Sequence, residues 1–69
     1  MNFAAFRALE GAEVWVRPDR VQYLKSAVVP HEGRQIDVTQ IVLISEQPAW
    51  INVQAPIATV ARELRDAAR

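Results

Sequence analysis

The stretch TQIVLISEQPAWINV, Thr39 to Val53, sets two apolar runs on either side of a polar break at Glu46, Gln47 and Pro48. Residues of this kind, β-branched and aromatic with a proline-containing break between them, read as two strands and a turn, with strands at about 39–45 and 49–53. Side chains alternate across a strand, so Ile41 and Leu43 belong to one face and Val42 and Ile44 to the other. Both faces are apolar, although an antiparallel sheet with one solvated face needs only one. The same two-sidedness recurs in Val14-Trp15-Val16, in Ala27-Val28-Val29, and in the return strand, where Ile51 and Val53 oppose Trp50.

Upstream, residues 2–9 read as a strand, and Glu10 and Gly11 supply a hairpin turn into a second strand at 13–17. Pro18 fixes its own backbone and holds Arg17 extended, so Pro18, Asp19 and Arg20 read as a turn or one loose helical turn. A third strand is expected over 21–29, with Val21, Tyr23 and Lys25 on one side, Gln22, Leu24 and Ser26 on the other, and Pro30 as its stop. The segment PHEGRQID, Pro30 to Asp37, combines proline, glycine and ionisable residues and reads as an exposed loop. Downstream, Ile57, Val60, Ala61, Leu64, Ala67 and Ala68 fall on one helical stripe, which predicts an amphipathic helix over 56–68 with Pro56 at its first position. The fold expected is α+β: a small, curved antiparallel sheet of four or five strands, able to curl into a barrel, followed by one C-terminal amphipathic helix.

A chain of 69 residues buries only about 60% of its unfolded surface, and domains of this size draw reinforcement from disulfides, metals or oligomerisation. There is no cysteine and only one histidine, His31, so disulfides and a Cys/His zinc site within one chain are excluded. Oligomerisation is the reinforcement that remains, and two-sided apolar strands in so short a chain point to a second copy as the cover for the spare face. Trp15 and Trp50 face away from aliphatic neighbours, and tryptophan favours interface centres because it joins large area to a polar handle.

Eight basic and eight acidic residues balance to zero formal charge, which argues against binding nucleic acid mainly through counterion release. Seven of the eight basic residues are arginine, a side chain suited to bidentate recognition of phosphate or carboxylate, although an Arg- and Ala-rich coding bias gives the same count. No apolar run approaches the roughly 18 residues that cross a bilayer. Residues 1–14 lack the basic head and apolar run of a signal peptide, so a cytoplasmic protein without membrane contact is expected.

Leu9, Gly11, Val14, Val16, Pro18, Asp19, Val21 and Leu24, then Thr39, Ile41, Leu43, Val53 and Val60, follow one another in an order that resembles the small FlbD-like (SwrD-like) proteins associated with bacterial flagellar genes. The resemblance spans most of the chain. It implies a small accessory or regulatory protein without known chemistry, and it supplies no catalytic residues.

His31, Glu32 and Asp37 are the one cluster with acid/base or metal-ligating character, and they lie in the expected loop. No nucleophile elbow, phosphate-cradling loop or cysteine nucleophile is present, so neither catalysis nor a cofactor is expected. A surface built from Trp15, Arg17, Arg20, Tyr23 and Lys25, with Trp50, is the candidate partner-binding site, and His31, Glu32, Arg34 and Asp37 are candidates for tuning specificity. The function expected is a non-enzymatic module that acts as a homo-oligomer and captures a protein or small ligand. The alternative is a single-stranded RNA- or DNA-binding module that uses the same cations and aromatic rings to grip phosphates and stack bases.

Overall fold

A computed structural model describes residues 2–69. Its central strand, β4, is flanked by two others in an antiparallel sheet ordered β3-β4-β5, where β3 is Val21–His31, β4 is Arg34–Leu43 and β5 is Trp50–Val53. β1 (Ala4–Arg7) and β2 (Glu13–Val16) form a separate antiparallel hairpin, a single 3-10 turn covers Pro18–Arg20, and α1 (Ile57–Ala67) follows β5. The class is therefore α+β, as the sequence leads one to expect, with five antiparallel strands among the described residues and one C-terminal helix. The two sheets do not close into a barrel. They meet where Ala8 bridges Val53 and where the Leu9 N–H donates to the Asn52 carbonyl at 2.9 Å.

Alternation decides what is buried. Ala4 and Phe6 of β1, with Val16 of β2, point inward, while Ala5, Arg7 and Trp15 point out. They meet Ile41 and Val53 from the three-stranded sheet and Val60 and Leu64 from α1 in one core. Ile41 and Val60 are wholly inaccessible to solvent, and full burial of each such side chain contributes about 1.5–3 kcal/mol. The first hairpin and the helix thus cover the inner face of β4 together. The outer face is left with Val42 between Tyr23 and Trp50, both more than half exposed at 51% and 53%.

A buried hydroxyl ties α1 to this sheet. Thr39, at 1% exposure, donates from Oγ1 to the Ala55 carbonyl at 2.7 Å just before the helix begins. At the other end, the Asn2 N–H donates to the Ala67 carbonyl at 2.8 Å, satisfying one of the helix's terminal acceptors.

Several local expectations are corrected. Pro30 to Asp37 is no loop: β3 continues to His31, β4 starts at Arg34, and the chain reverses at Glu32 and Gly33 with φ of 51° and 76°. Two central residues with positive φ give the hairpin turn whose twist matches that of the strands. The charges that suggest a loop decorate an exposed strand ribbon. Pro30 does not stop β3, for a geometric reason. The closing pair of a two-residue hairpin, here His31 and Arg34, is hydrogen-bonded, so odd-numbered residues of β3 turn their N–H and C=O toward β4 and even-numbered ones turn them outward. The missing N–H of Pro30 therefore falls on the free side of an edge strand, where no ladder bond is lost.

A bulge changes the expected faces at the start of β3. Val21 pairs with Leu43 and Tyr23 with Val42, so the extra residue puts Val21 and Leu24 together on the core side. Strands 1 and 4 end earlier than the 2–9 and 39–45 ranges predict: β1 stops at Arg7, and β4 stops at Leu43, after which the Ile44 N–H donates to the Arg20 carbonyl at 2.8 Å. Pro56 stands just outside the helix as its N-cap with extended backbone, and Ile57, expected in the buried stripe, is 39% exposed and lines a depression with Val28.

Ile41→Ala should lower unfolding free energy by about 2–5 kcal/mol, while Val42→Ala on the outer face should lower it by less than about 1.5 kcal/mol. Urea melts of the two variants check this; equal losses would show that the two faces of β4 are covered alike.

Candidate binding surface

The six residues expected to form one partner-binding face line two separate depressions. Trp15, Arg17 and Arg20 border a groove of about 390 Å³, whose apolar lining includes Phe3, Leu43, Ile44 and Ile51. Tyr23, Lys25 and Trp50 border a smaller one of about 340 Å³ on the outer face of the three-stranded sheet, with Val42 and Pro48. The separation follows from topology. Trp15 lies on the outer side of the β1-β2 hairpin opposite Ala5, whereas Tyr23 and Trp50 are both neighbours of Val42 in the other sheet.

In the groove, Trp15 is 66% exposed, an unusual position for so large an apolar ring, and its orientation is fixed from two sides. Its indole Nε1 donates to Glu13 Oε1 at 2.9 Å, two residues back on the same strand face. Its ring meets that of Phe3, centroids 6.2 Å apart and planes tilted by 42°, within the range where aromatic pairs attract. Arg17 forms an exposed ion pair with Asp19 at 3.1 Å, which holds the guanidinium at the rim. Pairs so exposed contribute little stability, on the order of 0–1 kcal/mol, so their effect here is positional. Arg20 lies near the Ile44 carbonyl through a long 3.5 Å contact and leaves most of its donors free. The arrangement is an apolar floor with two guanidinium groups on one lip, which suits a ligand having an apolar body and an anionic or acceptor-rich end.

On the outer sheet face the Tyr23 and Trp50 rings flank Val42, with Lys25 alongside. The single cation of this face distinguishes it from the groove, which has two.

The four residues expected to tune specificity do not act together. His31, Glu32 and Arg34 gather at the β3-β4 turn around a depression of about 290 Å³ shared with Leu9 and Ile36, and His31 Nε2 lies 3.8 Å from Glu32 Oε1. Asp37 is on the inner-facing parity of β4 and lines a different depression, with Val28 and Thr39. Alternation across the strand separates it from the other three, so the His31, Glu32 and Asp37 cluster does not assemble. Among the described residues no group of three His, Asp or Glu side chains is placed to hold a metal ion. No helix among the described residues is long and apolar enough to cross a membrane.

The residues expected at the binding site include neither Phe3 nor Ile44, yet both line the groove. Alternation carries a signal for Phe3, since it shares the outward parity of Ala5 on the first strand. Ile44 has no comparable signal, because it belongs to the groove only through the end of β4 at Leu43.

Trp15→Ala and Trp50→Ala should each leave the fold intact, with a loss of less than about 1 kcal/mol, against about 3–5 kcal/mol for a core tryptophan. Chemical denaturation followed by circular dichroism measures this, and a core-sized loss at either site would place that ring inside the packing. No protein-family model, curated protein or solved structure matches the chain.

Proposed function

We propose that this protein is a non-enzymatic, cytoplasmic binding or regulatory module that acts as a homo-oligomer and captures a protein segment or small ligand in the Trp15 groove. The observation that carries this reading is the exposed Phe3 and Trp15 pair over an apolar floor, with Arg17 and Arg20 on its lip. A side chain as large as tryptophan, held in place yet mostly open to water, is what interface hot spots are made of. The small size of the chain and the uncovered Tyr23, Val42 and Trp50 surface support self-association as a further source of stability. The resemblance to FlbD-like accessory proteins points in the same direction. Against an enzyme stands the dispersal of His31, Glu32 and Asp37 to two sides of a sheet.

Native mass spectrometry of the full chain, purified gently from a cell extract, tests the proposal. A multimer carrying extra mass is expected, and Trp15→Ala should lose the extra mass and keep the multimer. A bare monomer would overturn both parts.

The outer sheet face favours a second reading, single-stranded nucleic acid. Tyr23 and Trp50 present exposed rings beside Lys25 on a β-sheet, and such platforms stack bases at about 1–3 kcal/mol each. Titration with single-stranded RNA and DNA at physiological salt should then change tryptophan fluorescence, and the change should vanish in Trp50→Ala. An unchanged signal removes this reading.

A further inference from the structure

The outer edge of β3 is the longest unpaired element of the fold. β3 is the terminal strand of its sheet, and among the described residues no strand pairs with its free side. The register with β4 turns the N–H and C=O of Leu24, Ser26 and Val28 outward, an alternation that the Leu43 N–H confirms by donating toward β5, to the Ala49 carbonyl at 2.9 Å. An unpaired row of this kind is a template for another strand. Two features bound it: the bulge between Val21 and Tyr23 at one end, and Pro30, without an N–H, at the other.

We infer that this edge takes a second copy of the same strand, antiparallel, across a two-fold axis at Ser26, joining two three-stranded sheets into one. This rests on the homo-oligomer half of the proposed function and specifies its interface. The edge is self-complementary. With the axis at Ser26, the donors and acceptors of Leu24, Ser26 and Val28 meet those of the partner's Val28, the partner's Ser26 and the partner's Leu24, and both interruptions fall outside the paired stretch. Moving the axis to Lys25 sets two ammonium groups directly opposite each other, which is destabilising. Moving it to Ala27 brings Pro30 opposite Leu24 and leaves a carbonyl without a donor.

The side chains agree on both faces. On the inner side, Val28, 58% exposed, comes opposite the partner's Leu24. On the outer side, Tyr23 comes opposite the partner's Val29, and Lys25 opposite the partner's Ala27, so no like charges are directly paired. A second observation falls at the same edge. Val28 and the exposed Ile57 line one depression of about 510 Å³ bordered by Ser26, and a strand added beside Val28 would bring the partner's Leu24 next to it. The groove at Trp15 is not part of this edge and stays available for a ligand.

Because the chain has no cysteine, single substitutions report the register directly. In a hydrogen-bonded pair the two Cα atoms are about 5.5 Å apart, within disulfide reach, so Ser26→Cys should form a covalent dimer under mild oxidation. In the same register Val28 lies more than about 12 Å from the partner's Val28, so Val28→Cys should stay monomeric on a non-reducing gel. Sedimentation equilibrium of the unmodified chain, run in parallel, should show a dimer. A dimer in which neither variant cross-links, or both do equally, would overturn the edge interface and leave the homo-oligomer reading standing. A monomeric chain would overturn both, including the case in which a foreign extended peptide perturbs the Leu24, Ser26 and Val28 amides and proves to be the edge's occupant.

Discussion

The period-two alternation of β4 is the constraint on which the rest of the structure depends. Ile41 is wholly buried in a core shared with Phe6, Val16, Val53, Val60 and Leu64, and a strand that turns Ile41 inward must turn Val42 outward. The first hairpin and α1 exist, in structural terms, to cover that inner face, and each brings a narrow set of apolar side chains to do so. Among the described residues the outer face is covered only in part: Val38, on the same parity as Val42, is 4% exposed, whereas Tyr23 and Trp50 beside Val42 stay open. The exposed surface is therefore a consequence of how the core is built, and its apolar character at Tyr23, Val42 and Trp50 is what calls for a functional explanation.

Much of this is legible in the amino-acid sequence. Alternation in residues 39–53 locates the hairpin and its two apolar faces, and helical periodicity locates Val60 and Leu64 as the buried side of α1. What escapes such a reading comes from effects that residue types do not encode one by one. Pro30 looks like a strand stop unless one knows that its N–H side faces away from β4. Glu32 and Gly33 look like part of a loop until the register makes them the two central residues of a tight turn. The bulge near Gln22 parts Val21 from Tyr23 and Lys25, with which simple alternation groups it on one face, and no composition signal announces a bulge.

The binding surface shows the same division. Trp15, Arg17 and Arg20 stand out by residue type as chemically suited to an exposed site, and the fold brings these three to one groove. Their grouping with Tyr23, Lys25 and Trp50 fails because those belong to a second sheet, and strand alternation within a segment says nothing about which sheet the segment joins. Asp37 parts from His31 and Arg34 through parity alone. Ile44 enters the groove only because β4 ends at Leu43 and hands its next N–H to Arg20.

The proposed ligand site is the Trp15 groove, and the proposed self-association lies on a different element, the edge of β3. Association through β3 would enlarge a small sheet and leave the groove free, so the two roles do not compete for the same residues. The most direct test is amide hydrogen exchange at Leu24, Ser26 and Val28, followed by NMR as protein concentration rises. Self-pairing predicts that these three amides become protected together as the dimer fills, while the amides of the exposed turn at Glu32 and Gly33 do not. If they exchange rapidly at every concentration, as the free edge of a single sheet would, self-pairing through β3 is contradicted.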